Sequence, residues 1–147
     1  MKRHPALIPL SREHQPALLL AQLLKINAPA FNGMPTTLPD KAAFALKMYT
    51  LNLKNHFIKE EAMLASIKNL NKSIDALTEE ITMEHQLLRA AFLALDKPNH
   101  TIEELDALGN QLDDHIRKEE RILFPLIQEH CSEEVLAAFR IIIKPAL

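Results

Sequence analysis

The stretch HIRKEERILFPLI, residues 115–127, sets an imidazole and a carboxylate four positions apart among isoleucines and leucines. Traced back along the chain, its seam reads Leu105, Leu108, Leu112, His115, Glu119, Ile122 and Leu126. The steps alternate between three and four residues, which is the stripe that a helix turns toward a bundle core. His115 and Glu119 therefore stand where a helix of this kind normally carries leucine. The pattern recurs in HFIKEEAML, residues 56–64, where Tyr49, Leu53, His56, Glu60, Met63 and Ile67 share a stripe. A third stripe runs Ile74, Leu77, Ile81, His85, Leu88, Phe92 and Leu95, and a fourth runs His14, Leu18, Ala21 and Leu24.

The rest of the chain agrees with a helical protein. Its 147 residues suffice for one domain with a closed core, spanning 1–147. Glycine occurs twice, while Leu, Ala, Lys and Glu dominate, a composition that disfavours strongly turned β folds. Helices are expected over about 11–27, with Ser11 as N-cap, and over about 39–70. Two more follow over about 74–95 and 101–130, the last opened by a Thr101/Glu104 capping box. Pro125 lies inside it, cannot bond to the Arg121 carbonyl, and is expected to kink or end it. Ser132, Glu133 and Glu134 start a short fifth helix that ends before Pro145. The expected fold is all-α, an up-down-up-down four-helix bundle with a short C-terminal fifth helix. A net charge of −2 without a basic stripe argues against nucleic acid or an anionic membrane as partner. A single cysteine, Cys131, and the lack of a signal-like or membrane-length apolar run point to the cytoplasm.

The polar residues on the inner stripes need a reason. An ionised carboxylate in an apolar core costs several kcal/mol unless it is paired or bound to a metal. Here four histidines and two glutamates are spread over all four helices. Their depths agree: His14 lies about 5 Å into the first helix, and His56 about 24 Å along the antiparallel second. Along the same path His85 and His115 fall within roughly 10 Å of that level. Rotation selects the carboxylates, because a residue four on from a histidine sits about 40° away and a residue five on about 140°. Glu60 and Glu119 thus face inward, and Glu61 and Glu120 elsewhere. Imidazole and carboxylate without thiolate suit Fe, Mn or Zn. Phe57, Ile81, Leu88 and Ile122 are expected to keep the pocket dry.

On the segments LSREH, HFIKEE, MEHQLLR and HIRKEERILFPLI, spread over nearly the whole chain, the sequence resembles the hemerythrin-like, or HHE cation-binding, family. The resemblance implies a four-helix bundle around two non-haem iron ions. Carried over by position, His14 and His56 hold one iron, His85 and His115 the other, and Glu60 and Glu119 bridge them. Three positions depart from the pattern. Oxygen-carrying hemerythrins place a further histidine where this chain has Ile81, and an aspartate five after the fourth-helix histidine where this chain offers Glu119 at four. Some sensing relatives carry a glutamate where Phe57 stands. The second iron is left one ligand short, with water, Glu84 or His4 as candidates to complete it, and single-metal occupancy stays open.

The function implied is a di-iron protein that senses, stores or binds O2, iron or NO, with a small diatomic molecule as partner. The alternative is a di-iron oxidase or peroxidase, or a protein that donates iron to damaged iron–sulfur centres. No acid–base apparatus is apparent, so binding is favoured over catalysis. His100 and His130 lie near helix ends and read as solvent-facing or capping groups. Cys131 reads as a small apolar filler. Ile141, Ile142 and Ile143 are expected to bury against the bundle.

Overall fold

The computed structural model describes residues 2–143. Among them the chain is all-helical, with no strand, and forms a helical bundle. The first rod is α1, Ile8–Leu24. The second joins α2, Leu38–Met48, through a π-helical turn, Tyr49–Leu53, to α3, Lys54–Ser66. The third is α4, Lys72–Leu93, closed by a 3-10 turn, Ala94–Asp96. The fourth joins α5, Ile102–Lys118, through a second π turn, Glu119–Leu123, to α6, Phe124–His130. The short α7, Glu133–Ile142, follows. No helix among the described residues is long and apolar enough to cross a membrane.

The caps read from sequence are largely present. Thr101 Oγ1 accepts from the Glu104 backbone N–H at 3.1 Å, and Ser132 Oγ accepts from Val135 N at 3.2 Å. Asn71 caps α4 by accepting from Ser73 N and Ile74 N at 2.9 and 3.0 Å. Ser11 differs from expectation. Helix α1 begins earlier, at Ile8, with a proline in its first turn, where a missing N–H does no harm. That leaves the Ser11 hydroxyl free to donate to Glu120 Oε2 at 2.8 Å.

At Pro125 the regular α-helix is interrupted, as expected, although the rod continues in helical form. The π turn ahead of it pairs Phe124 N–H with the Glu119 carbonyl, and Pro125 then falls in the first turn of α6. The wider turn inserts one residue and rotates everything beyond it. Ile122, expected on the inner seam, is consequently 54 % exposed, while Leu123, Phe124 and Ile127 are fully buried. Of the three C-terminal isoleucines, Ile143 is buried and Ile141 faces solvent.

The apolar interior falls into two clusters. One gathers Leu20, Tyr49, Phe57, Leu88, Phe92 and Leu112. The other gathers Leu10, Met63, Ile74, Ile81, Phe124 and Phe139, with α7 contributing at that end. Helices α1 and α5 pack extensively against each other, and Gly109 permits their close approach. A Cβ there would stand 2.6 Å from the Ala21 carbonyl oxygen and 3.1 Å from Leu24 Cβ. Gly109→Ala is expected to force α1 and α5 apart and lower stability by about 1–3 kcal/mol. Chemical denaturation checks this: the midpoint should drop while helical circular dichroism in buffer is retained.

Candidate metal centre

The six residues singled out from sequence lie between the two apolar clusters, and all are buried, none more than 2 % exposed. His56 and Glu60 are one turn apart on α3, with Nε2 and Oε2 3.1 Å from each other. His115 ends α5 and Glu119 begins the π turn, with Nε2 and Oε1 3.3 Å apart. His14 from α1 brings its Nε2 to 3.1 Å from Glu119 Oε1 and 3.5 Å from Glu60 Oε2. His85 from α4 places its Nε2 3.1 Å from Glu60 Oε1 and 3.9 Å from Glu119 Oε2. The donors form two groups, His14, His56, Glu60, Glu119 and Glu60, His85, His115, Glu119, each with its ligand atoms within 4.8 Å of one another. Both carboxylates belong to both groups.

Short as these separations are, none is aligned as a hydrogen bond. The four Nε2 atoms and all four carboxylate oxygens of Glu60 and Glu119 are buried without a hydrogen-bond partner. Orphaned polar atoms at this density are not tolerated in an ordinary core. Lone pairs converging from nitrogen and oxygen on two shared points fit cations of the Fe, Mn or Zn type.

The outward nitrogens are, by contrast, fully engaged. His14 Nδ1 donates to Glu120 Oε2 at 2.7 Å and His56 Nδ1 to Glu13 Oε1 at 2.8 Å. His85 Nδ1 donates to Glu61 Oε2 at 2.6 Å and His115 Nδ1 to Glu84 Oε1 at 2.7 Å. Each bond crosses from one rod to the next, so the four close a ring around the bundle. The N–H on Nδ1 leaves Nε2 as the inward lone pair, the arrangement that a metal-ligating histidine needs. Cations brace the ring from outside. Lys59 Nζ lies 2.6 Å from Glu13 Oε2, Arg89 Nη2 2.8 Å from Glu61 Oε2, and Arg3 Nη2 3.3 Å from Glu120 Oε1. Lys118 pairs with Glu84 in the same way.

Sequence reasoning missed these four carboxylates as histidine partners. Glu61 and Glu120 do turn away from the centre, as their rotation requires, but they land on the histidines of neighbouring rods. The signal was present as two pairs of repeats, EHQ at 13–15 and 84–86 and KEE at 59–61 and 118–120. A residue next to an inward ligand lies about 100° round the helix and so points at an adjacent rod. Of the candidates for the missing ligand, the two side chains, Glu84 and His4, both point to other partners. Glu84 is committed to His115 and Lys118. His4 Nε2 lies 3.0 Å from Glu133 Oε2, and its Nδ1 accepts from Ala6 N, away from the centre.

Aromatic rings wall the site on both sides. Phe57 stacks on His85 with ring centroids 4.2 Å apart, and Phe124 stacks on His14 at 5.7 Å. Ile81 and Leu88 are fully buried, as expected of a dry pocket, whereas Ile122 takes no part. His100 hydrogen-bonds the Leu95 carbonyl and lies beside Glu104, and His130 is exposed at the end of α6. The hollow of 440 Å³ that includes Pro98, His100 and Glu104 touches none of the six.

Electrostatics hold protons in this layer when no metal competes for it. Burial opposes a charge on His115, but Glu119, Glu84 and Glu60 together outweigh it and push the pKa up to about 10. Burial is likewise outweighed at His56 by Glu60 and Glu13, which push it up to about 9. His14 is raised well above its ordinary value against burial by Glu119, Glu120 and Glu60. Glu60 is held well below the usual carboxylate range, despite burial, by His56, His14 and His85. The hydrogen bond from His115 draws Glu84 down to about 2, with burial opposing and Lys118 assisting.

A helical domain with two buried histidine–glutamate clusters sharing their carboxylates is, by its chemistry, built to hold cations. The chain matches the hemerythrin HHE cation-binding domain over residues 9–127 and belongs to that family. No curated protein matches the chain, and no solved structure does.

Two outcomes are expected. In the metal-free protein the raised histidines stabilise the fold fully below their ordinary pKa of 6.5 and lose that contribution as pH climbs through about 9 and 10. Its melting temperature should therefore fall from pH 6.5 to 10, and bound metal, which replaces the protons, should flatten that slope. Glu84→Gln should weaken metal binding by about 10–100-fold through loss of support for His115, measured by competition with a chromophoric chelator.

Proposed function

We propose that this chain is a non-haem di-iron protein of hemerythrin-like type, built as an up-down-up-down bundle, that binds a small diatomic molecule such as O2 or NO. The observation that carries this is the set of eight inward nitrogen and oxygen atoms, all buried and none hydrogen-bonded. His14 and His56 would hold one ion, His85 and His115 the other, and Glu60 and Glu119 would bridge them. Iron is favoured by the family, and zinc or manganese also suits the donors. Bound iron would supply redox electrons and an open coordination position for the diatomic ligand. The chain's own residues do the rest. The Glu13, Glu61, Glu84 and Glu120 carboxylates fix each imidazole in one tautomer, and Phe57 and Phe124 exclude water. The single buried Cys131 fits action in a reducing cytoplasm.

Metal analysis of protein purified from iron-replete cells should give about two iron ions per chain, the count that two carboxylate-sharing groups require. Protein free of any transition metal sinks the proposal.

A second reading has its own support. Each group offers only two imidazoles besides the shared carboxylates, and Ile81 adds nothing. Coordination this open also suits a small oxidase or peroxidase, or release of iron to damaged iron–sulfur centres. Stopped-flow mixing of the reduced protein with O2 or peroxide separates them, since a stable reversible adduct supports binding and repeated turnover supports catalysis.

A further inference from the structure

Two of the ligand histidines are held in the same way by parts from different sources. On the His85 side, the Arg89 guanidinium pairs with Glu61 at 2.8 Å and lies 5.7 Å from the Phe57 ring centroid. Glu61 accepts from His85 Nδ1, and Phe57 stacks on the same imidazole. On the His14 side, the Arg3 guanidinium pairs with Glu120 at 3.3 Å and lies 5.3 Å from the Phe124 ring centroid. Glu120 accepts from His14 Nδ1, and Phe124 stacks on that imidazole. Each histidine is thus held by a glutamate and a phenylalanine, with one arginine behind both.

The arginines arrive by different routes. Arg89 follows His85 by four on α4, one helical turn away. The matching position on α1, four after His14, is Leu18. Arg3 supplies the guanidinium instead, from residues 2–7, which precede α1 and lie outside any helix. This segment crosses to the fourth rod and α7. Arg3 Nη2 also donates to the Glu120 carbonyl at 2.7 Å, and Arg3 Nη1 donates to Gln128 Oε1 at 3.2 Å. Gln128 Oε1 accepts from His4 N at 3.0 Å, and Gln128 Nε2 donates to the Lys2 carbonyl at 2.9 Å. His4 Nε2 pairs with Glu133 at 3.0 Å. Ala6 and Leu7 are fully buried and anchor the segment where it joins α1.

We infer that residues 2–5 form a strap over the His14 side of the metal layer, that Arg3 is a positioning residue for His14, and that the cation held by His14 and His56 exchanges when this strap lifts. The exchange rests on the two-cation reading, whereas the strap itself does not need it. Lifting residues 2–5 breaks the bonds to Gln128, Glu120 and Glu133 and leaves every helical hydrogen bond in place, so it is a local opening. Arg89 is fixed to its helix within reach of Glu61, but Arg3 departs with its segment. Glu120 is then left with Ser11 and His14, and Phe124 loses its outer cover. A carboxylate that holds the outer nitrogen of a ligand histidine supports the metal through it. His14 therefore becomes the ligand freest to swing off its ion.

The full chain supplied with zinc carries the test, with metal release followed by a chromophoric chelator. Arg3→Ala should speed the departure of one of the two ions by about tenfold and leave the other at its original rate. Arg3→Lys keeps the charge but not the fork that spans Glu120 and Gln128, and should fall between. Gln128→Ala cuts three strap bonds without touching Glu120 or Phe124 and should speed the same ion. Unchanged release in either alanine variant, or equal acceleration of both ions, overturns the proposal.

A second readout on the same samples is exchange of the imidazole N–H protons with water, followed by NMR. In Arg3→Ala the His14 Nδ1–H should exchange about tenfold faster, with the His85 Nδ1–H unchanged. Unaltered exchange at His14 overturns the positioning role. The two readings fail separately. Faster exchange at His14 in a chain that takes up no zinc removes the two-cation reading and keeps the strap. Two bound ions that leave Arg3→Ala as slowly as the unaltered chain remove the strap alone.

Discussion

Glu60 and Glu119 meet four imidazoles at one depth in the bundle, and most of the architecture is arranged around keeping them there. A carboxylate without solvent or hydrogen bond is among the least favourable groups to bury. The chain manages two by surrounding them with nitrogen donors from every rod. The local geometry is economical. An i, i+4 step on α3 and another from α5 into the π turn deliver both carboxylates with a histidine beside each. Helices α1 and α4 contribute one histidine apiece and nothing more to the inner layer.

The ring of outward carboxylates gives the centre its rigidity. Each histidine is gripped from the neighbouring rod, and each gripping glutamate is neutralised by a lysine or arginine. The order is cyclic. Helix α1 serves α3, α3 serves α4, α4 serves α5, and the fourth rod returns to α1. Two sequence repeats generate it, Glu-His-Gln on the odd rods and Lys-Glu-Glu on the even ones, so the site carries an approximate twofold relation. In both even rods the lysine three after the ligand histidine clamps the glutamate that holds that same histidine. This relation also makes the two metal groups equal in donors, two histidines and the two shared carboxylates in each.

Much of this was legible in the sequence because it depends on period alone. Inner stripes at three- and four-residue spacing placed His14, His56, His85 and His115 inward, and Thr101 and Ser132 marked helix starts through well-understood capping chemistry. What stayed hidden depends on phase and on partners. The π turn at Glu119–Leu123 leaves no trace in hydrophobic periodicity, so Ile122 was assigned inward and Phe124 was not. Ser11 looked like a cap because its residue type suits one, yet Glu120 claims its hydroxyl from the fourth rod. The Glu–His pairs require knowing which rods are neighbours, and that information is tertiary.

The polar layer divides the interior into two apolar clusters that lie on opposite sides of it. Each rod runs from one cluster through this layer into the other, and in the layer itself the six ligand residues are what the rods bring together. Bound cations would therefore act as rivets between two half-domains. Cooperativity of unfolding, and not only its midpoint, then becomes a property of metal occupancy. A depleted chain would join its two ends through the helices and the glutamate–histidine ring alone, and a loaded chain through the cations as well.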